Sequence, residues 1–155
     1  MTCLVAIAGV NAESCSGECP LGWTLNYTLN KCLINTGESV ASEAAAKCAA
    51  IGGRLPVPTS QQNNVDYRTA FDAMGASIPC VVLGIVNGDN QWRDFDGNPI
   101  SYFNWWNGQP NGDDEDYVCS SAYNDSMWGY WWDQRGDDNR IVICEQNKPD
   151  CCSTR

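Results

Sequence analysis

The chain contains no histidine among its 155 residues. That removes the commonest general base, the Ser-His and Cys-His arrangements, and most zinc hydrolase designs. Basic residues are also scarce: nine Lys and Arg stand against nineteen Asp and Glu, for a net charge of −10. Such a surface repels phosphate backbones and anionic lipid, so nucleic acid and membranes are excluded as expected partners and cations are favoured. No apolar run approaches the ~20 residues that cross a bilayer. Repeats, low-complexity tracts and linker-like stretches are missing too, which points to one domain.

Cysteine, by contrast, is abundant, at ten residues. Zinc needs spaced Cys or Cys/His pairs, and the adjacent Cys151-Cys152 has no spacer. The expectation is disulfides formed in an oxidising compartment, hence a secreted, extracellular protein. Cys3 to Val10 is a short apolar run, and Val10-Asn11-Ala12 suits signal peptidase, so residues 1–12 read as the remnant of a signal peptide. The alternative is a buried N-terminal strand. Cleavage after Ala12 removes Cys3 and leaves nine cysteines, an odd number. Cys151 and Cys152 are then the interchain candidates, one tying back to Cys15 and the other linking a second subunit into a homo-oligomer. In the alternative Cys3 is kept and all ten pair internally.

Hydropathy patterning predicts an α+β domain over residues 19–146, preceded by an extension (13–18) and followed by a cysteine-containing tail (147–155). Pro20 to Cys32 alternates as a hairpin. Ser39 to Ile51 predicts a helix with Val40, Ala44, Cys48 and Ile51 on one face, ended by Gly52-Gly53. Thr59 or Ser60 caps a second helix to about Met74, with Val65, Phe71 and Met74 inward. Cys80 to Ile85 and Arg140 to Cys144 predict buried strands. Asn87 to Asn139, rich in Gly, Asn, Asp and Trp, reads as one long ordered loop, and loops of that length are usually functional.

That loop carries the chemistry. Asp113, Asp114, Glu115, Asp116, Asp125, Asp133, Asp137 and Asp138 crowd like charge that a cation would offset. Calcium prefers hard oxygen ligands on irregular backbone. Gln109 and Asn111 add neutral oxygens, and the intervening Pro110 permits a cis bond that aims both side chains at one point. The competing reading is a solvated acidic loop. Trp105, Trp106, Trp128, Trp131, Trp132, Tyr117, Tyr123 and Tyr130 fall in the same stretch. Aromatic faces beside hydroxyl-binding groups suit a sugar, with its C–H face and polar rim.

Tyr102-Phe103-Asn104-Trp105-Trp106-Asn107-Gly108-Gln109-Pro110-Asn111 resembles the signature of C-type lectin domains. Glu115-Asp116-Tyr117-Val118, Trp131-Trp132-Asp133 and Ile143-Cys144-Glu145 are similar to later blocks of that family. Cys19 to Trp23 with Cys32 is similar to its N-terminal hairpin, and Leu83-Gly84-Ile85 to its central strand. The resemblance implies two helices, two small antiparallel sheets and a long ordered loop region. It also implies disulfides Cys19–Cys32 and Cys48–Cys144, and a calcium and sugar site at Gln109, Asn111, Glu115 and Asp133. Three departures stand out. Tyr117 and Gly136 occupy the positions of a second family disulfide, leaving Cys80 and Cys119 to bridge instead. Gln-Pro-Asn matches neither the galactose-type nor the mannose-type triplet. Trp132 replaces an Asn that would ligate calcium, so either Asp137 or Asp138 supplies the oxygen while Trp132 stacks on sugar, or sugar is bound without metal, or Trp132 merely packs.

The expectation is a lectin rather than an enzyme. It would recognise galactose, N-acetylgalactosamine or N-acetylglucosamine type sugars on glycans or microbes, as in innate immunity, with avidity from dimerisation. Glu115 and Asp133 could form an acid–base pair, but an open acidic loop gives no reason for a raised pKa. The alternative is an acidic secreted matrix protein that binds mineral or protein. Asn26-Tyr27-Thr28 and Asn124-Asp125-Ser126 match the N-glycosylation sequon, and Asn124 is expected to stay bare because a glycan there would crowd the site.

Overall fold

The computed structural model describes residues 17–76 and 80–149. The signal-peptide reading and the roles of Cys15, Cys151 and Cys152 concern residues outside those described. Seven strands and two helices form the domain: β1 (Thr24–Asn26), β2 (Lys31–Val40), α1 (Ala41–Ala49), α2 (Gln61–Ala73), β3 (Cys80–Gly88), β4 (Gln91–Asp94), β5 (Tyr117–Ser121), β6 (Trp131–Gln134) and β7 (Asn139–Asn147).

The two small sheets expected from the sequence are one. All strands join a single sheet in the order β1-β2-β7-β3-β5-β6, with β4 paired to β3. The join is a parallel contact between β3 and β7 at Val81 and Ile141, where the first and last buried strands meet. The long loop is also shorter than expected, because β4, β5 and β6 run through it. These strands mix Trp, Tyr and Ser with acids, so apolar alternation is weak, and pairing with β3 supplies the order. Asp89 and Asn90 both take positive φ, 53° and 58°, the geometry of a tight two-residue hairpin between β3 and β4.

The first helix begins later than its pattern suggests. Val40 ends β2, and Ile51 lies beyond the helix and 43% exposed, while Ala41, Ala44 and Cys48 face the core. In α2 the Ser60 hydroxyl accepts from the Asn63 N–H at 3.1 Å, as a cap should. Phe71 is buried with Tyr67 and Ala70, and Met74 packs on the core, but the inward face also carries the buried polar Asn64 and Arg68, whereas Val65 is only half-buried.

Those polar residues have a positioning role. The Asn64 amide donates to the Gly129 carbonyl and accepts from the Trp131 indole N–H at 2.7 Å. Arg68, with no exposed surface, donates to the carbonyls of Ser120 and Ala76 and pairs with Asp72, whose other oxygen accepts from the Trp128 indole. Because a buried donor left unpaired costs about 1–3 kcal/mol, these bonds fix the turn that leads into β6. On the opposite side, Glu145 is buried and satisfied by Lys31, Arg54 and the Tyr67 hydroxyl. Burial and the Glu145 charge push the Tyr67 phenol far above its ordinary value, so it stays the donor.

Among the described residues three disulfides staple the frame: Cys19–Cys32, Cys48–Cys144 and Cys80–Cys119. The first closes the N-terminal hairpin and the second ties α1 to β7. The third joins β3 to β5.

Candidate functional site

The site forms where the 109–116 segment folds against β6. The Gln109–Pro110 bond is cis, and the Gln109 N–H donates to the Trp106 carbonyl at 2.9 Å. Beyond the proline, the N–H groups of Asn111 and Gly112 both donate to Asp133 Oδ2, each at 2.9 Å. Asp133 therefore organises the loop through one oxygen. Its other oxygen, Oδ1, is buried without a hydrogen-bond partner, and so is Gln109 Oε1.

Glu115 completes the group. Its carboxyl lies within hydrogen-bonding reach of Asp133, and its pKa is raised, first by burial and then by the charges of Asp133, Asp114 and Asp138. An open acidic loop offers no cause for such a shift; folding supplies one by placing Glu115 over Gly112 and against the buried Asp133. A Cβ at residue 112 would collide with the Glu115 carboxylate. Gly112→Ala must therefore displace Glu115, which as a flexible side chain moves at little cost. The expected result is a loss of about tenfold in cation affinity with a stability change within ~0.5 kcal/mol, measured by calorimetric titration and thermal melting.

Not all of the eight carboxylates join. Asp113, Asp114, Asp116, Asp125 and Asp137 are exposed. Asp137 pairs with Arg135, and Asp138 with Arg140 at 3.1 Å, although the Asp138 charge still reaches Glu115. Asn111 is exposed at the loop tip. Trp132 pairs with Cys119 across β5 and β6, and strand alternation turns it to the face opposite Trp131 and Asp133. Its ring is half-buried, with the indole N–H buried and unpartnered. Sequence reasoning missed Gly112, Asn64 and Arg68, since nothing in a lone Gly, Asn or Arg marks what it will touch.

Among the described residues, no three acidic, cysteine or histidine side chains gather closely enough to hold a metal. Glu115 and Asp133 do lie side by side, and Asp133 Oδ1 and Gln109 Oε1 are each buried without a hydrogen-bond partner. Hard-oxygen sites are commonly assembled from such mixed donors.

Residues 38–146 match the family model for the lectin C-type domain. The chain belongs to the C-type lectin domain family. A tetranectin-like protein from Carcharhinus perezii is 29% identical over 119 residues, covering 74% of this chain and 70% of that one. The mouse scavenger receptor C-type lectin carbohydrate-recognition domain superposes with a TM-score of 0.70 at 22% identity, over 86% of this chain and all of that one (100%). A calcium-independent type II antifreeze protein shares the fold equally clearly, with a TM-score of 0.66 at 22% identity, over 84% of this chain and 95% of that one.

In this C-type lectin domain the missing second disulfide has a physical replacement. A Cβ on Gly136 would lie 3.0 Å from the Tyr117 ring, so the aromatic fills the space between the two positions. The Cys80–Cys119 bridge then ties β5 to β3.

Proposed function

We propose that this domain binds carbohydrate at the loop held by Asp133, with a calcium ion bound by Gln109, Asn111, Glu115 and Asp133 supplying the charge that orders sugar hydroxyls. The observation that carries this reading is the Glu115–Asp133 carboxyl pair, in which Asp133 Oδ1 is buried without a partner. Like charges so placed repel without a cation, and buried unpaired acceptors each cost about 1–3 kcal/mol. Trp132 adds no ligand from its face of β6, so the affinity for calcium is weaker than with an Asn there. Burial, and after it the crowding of Asp133, Asp114 and Asp138, raises the Glu115 pKa, and a bound cation would offset that crowding. Galactose-type and N-acetylated sugars are the proposed ligands. The three disulfides support an extracellular setting, and pairing through the tail cysteines would add avidity.

The test is retention on immobilised galactose, mannose and N-acetylglucosamine, with calcium and with EDTA. Retention is expected in calcium and lost in EDTA. It is also expected to fall on acidification at a pH above the ordinary Glu value of ~4.3. The sign follows from the raised pKa: the folded, metal-free site holds its proton more tightly than the unfolded chain does. Lowering the pH through that raised value relieves the metal-free fold while the proton displaces the cation. Equal retention in both buffers overturns calcium assistance. No retention on any sugar overturns the lectin reading and favours an acidic matrix protein that binds mineral or protein.

A further inference from the structure

An aromatic pair stands beside the site without being part of it. Trp106 and Tyr130 meet edge to face, with ring centroids 5.1 Å apart. Tyr130 is 38% exposed and Trp106 half-buried, so the pair reaches the surface while keeping one side packed. The backbone fixes its place: the Trp106 N–H donates to the Trp131 carbonyl, and the Trp106 carbonyl accepts from the Gln109 N–H that opens the cis turn.

Hydroxyls and amides surround it. The Tyr102 hydroxyl donates to Gln61 Oε1 at 2.9 Å, and its pKa is raised by burial and by the neighbouring Tyr130. Asn107 is exposed at the following position. Tyr102, Tyr130, Gln61 and Asn107 carry no carboxylate or basic group, whereas the adjoining loop and the chain as a whole are strongly acidic. Rings of intermediate exposure flanked by uncharged donors and acceptors fit the C–H face and hydroxyl rim of a neutral sugar. An anionic one would be repelled by the −10 net charge.

We infer that the domain takes a neutral oligosaccharide, with one sugar at the Asp133 loop and the next ring packed on the Trp106–Tyr130 pair. This rests on the carbohydrate reading above and adds a second contact to it.

The experiment compares galactose, mannose and N-acetylglucosamine with a disaccharide and a trisaccharide of each by calorimetric titration in calcium. The proteins are the full chain and its Trp106→Ala, Tyr130→Ala and Tyr130→Phe variants, each first shown to melt as the parent does. The parent is expected to bind one oligosaccharide about tenfold more tightly than its monosaccharide. Trp106→Ala and Tyr130→Ala should erase that advantage and leave the monosaccharide unchanged, while Tyr130→Phe keeps most of it. Equal affinity for monosaccharide and oligosaccharide in the parent, or equal loss of both in the variants, overturns the inference. Loss of a dimer in Trp106→Ala with sugar affinity intact overturns it in favour of a second copy of the chain covering the pair. If the parent binds oligosaccharide but no monosaccharide, and Trp106→Ala abolishes that binding, the aromatic subsite stands and the Asp133 reading fails.

Discussion

Asp133→Asn should lower calcium affinity by on the order of a hundredfold while leaving the fold as stable as before or more so. Loss of groups that merely support metal ligands costs 10–100-fold, and a charged ligand sits at the upper end. The two effects part because Asp133 does two separable things. Its Oδ2 accepts from the N–H groups of Asn111 and Gly112, and an amide oxygen in the same place accepts equally well. Its charge raises the Glu115 pKa, and the neutral side chain removes that repulsion. A variant that merely damaged the loop would lose stability and binding together. Calorimetric titration with calcium chloride, beside thermal melting with EDTA, distinguishes the cases, and unchanged calcium affinity would sink the role given to Asp133.

Replacing both Cys48 and Cys144 with Ala should cost about 5 kcal/mol, against about 3 kcal/mol for the Cys19 and Cys32 pair. The Cys48–Cys144 bridge spans 96 residues and constrains most of the unfolded chain, while Cys19–Cys32 spans 13. Both Cys48 and Cys144 are fully buried, joining α1 to the strand that carries Glu145, so cavities left by the missing sulfurs add to the entropic loss. For a chain of this size the melting temperature should fall by about 10 °C or more. Equal destabilisation by the two double variants would show that α1 docks without its staple.

Much of this was legible before folding. The two helices and the first and last buried strands follow from apolar spacing, but their ends differ: α1 starts after Val40, which ends β2, and the strands run on past their apolar cores, to Gly88 in β3 and to Asn147 in β7. The segment around Gln109-Pro110-Asn111 announces the candidate site, because Trp, Gly, amide and proline in that order resemble a known signature. The later strands did not declare themselves. β5 and β6 combine acids, serines and tryptophans, and their order comes from pairing with β3, a partner far away in the chain.

Composition alone settled that histidine chemistry is absent and that the chain is acidic, and it pointed to disulfides rather than a zinc site, which the six cysteines among the described residues form. The order of short motifs settled the family. Tertiary structure decided what depends on neighbours distant in sequence: one sheet instead of two, a Tyr117 ring filling the space beside Gly136, and Trp132 turned away from Asp133. It also decided that Glu115 holds a raised pKa, since a carboxylate's affinity for its proton is set by burial and by the charges brought beside it. Those lie 18 and 23 positions away in the chain for Asp133 and Asp138, and only folding makes them neighbours.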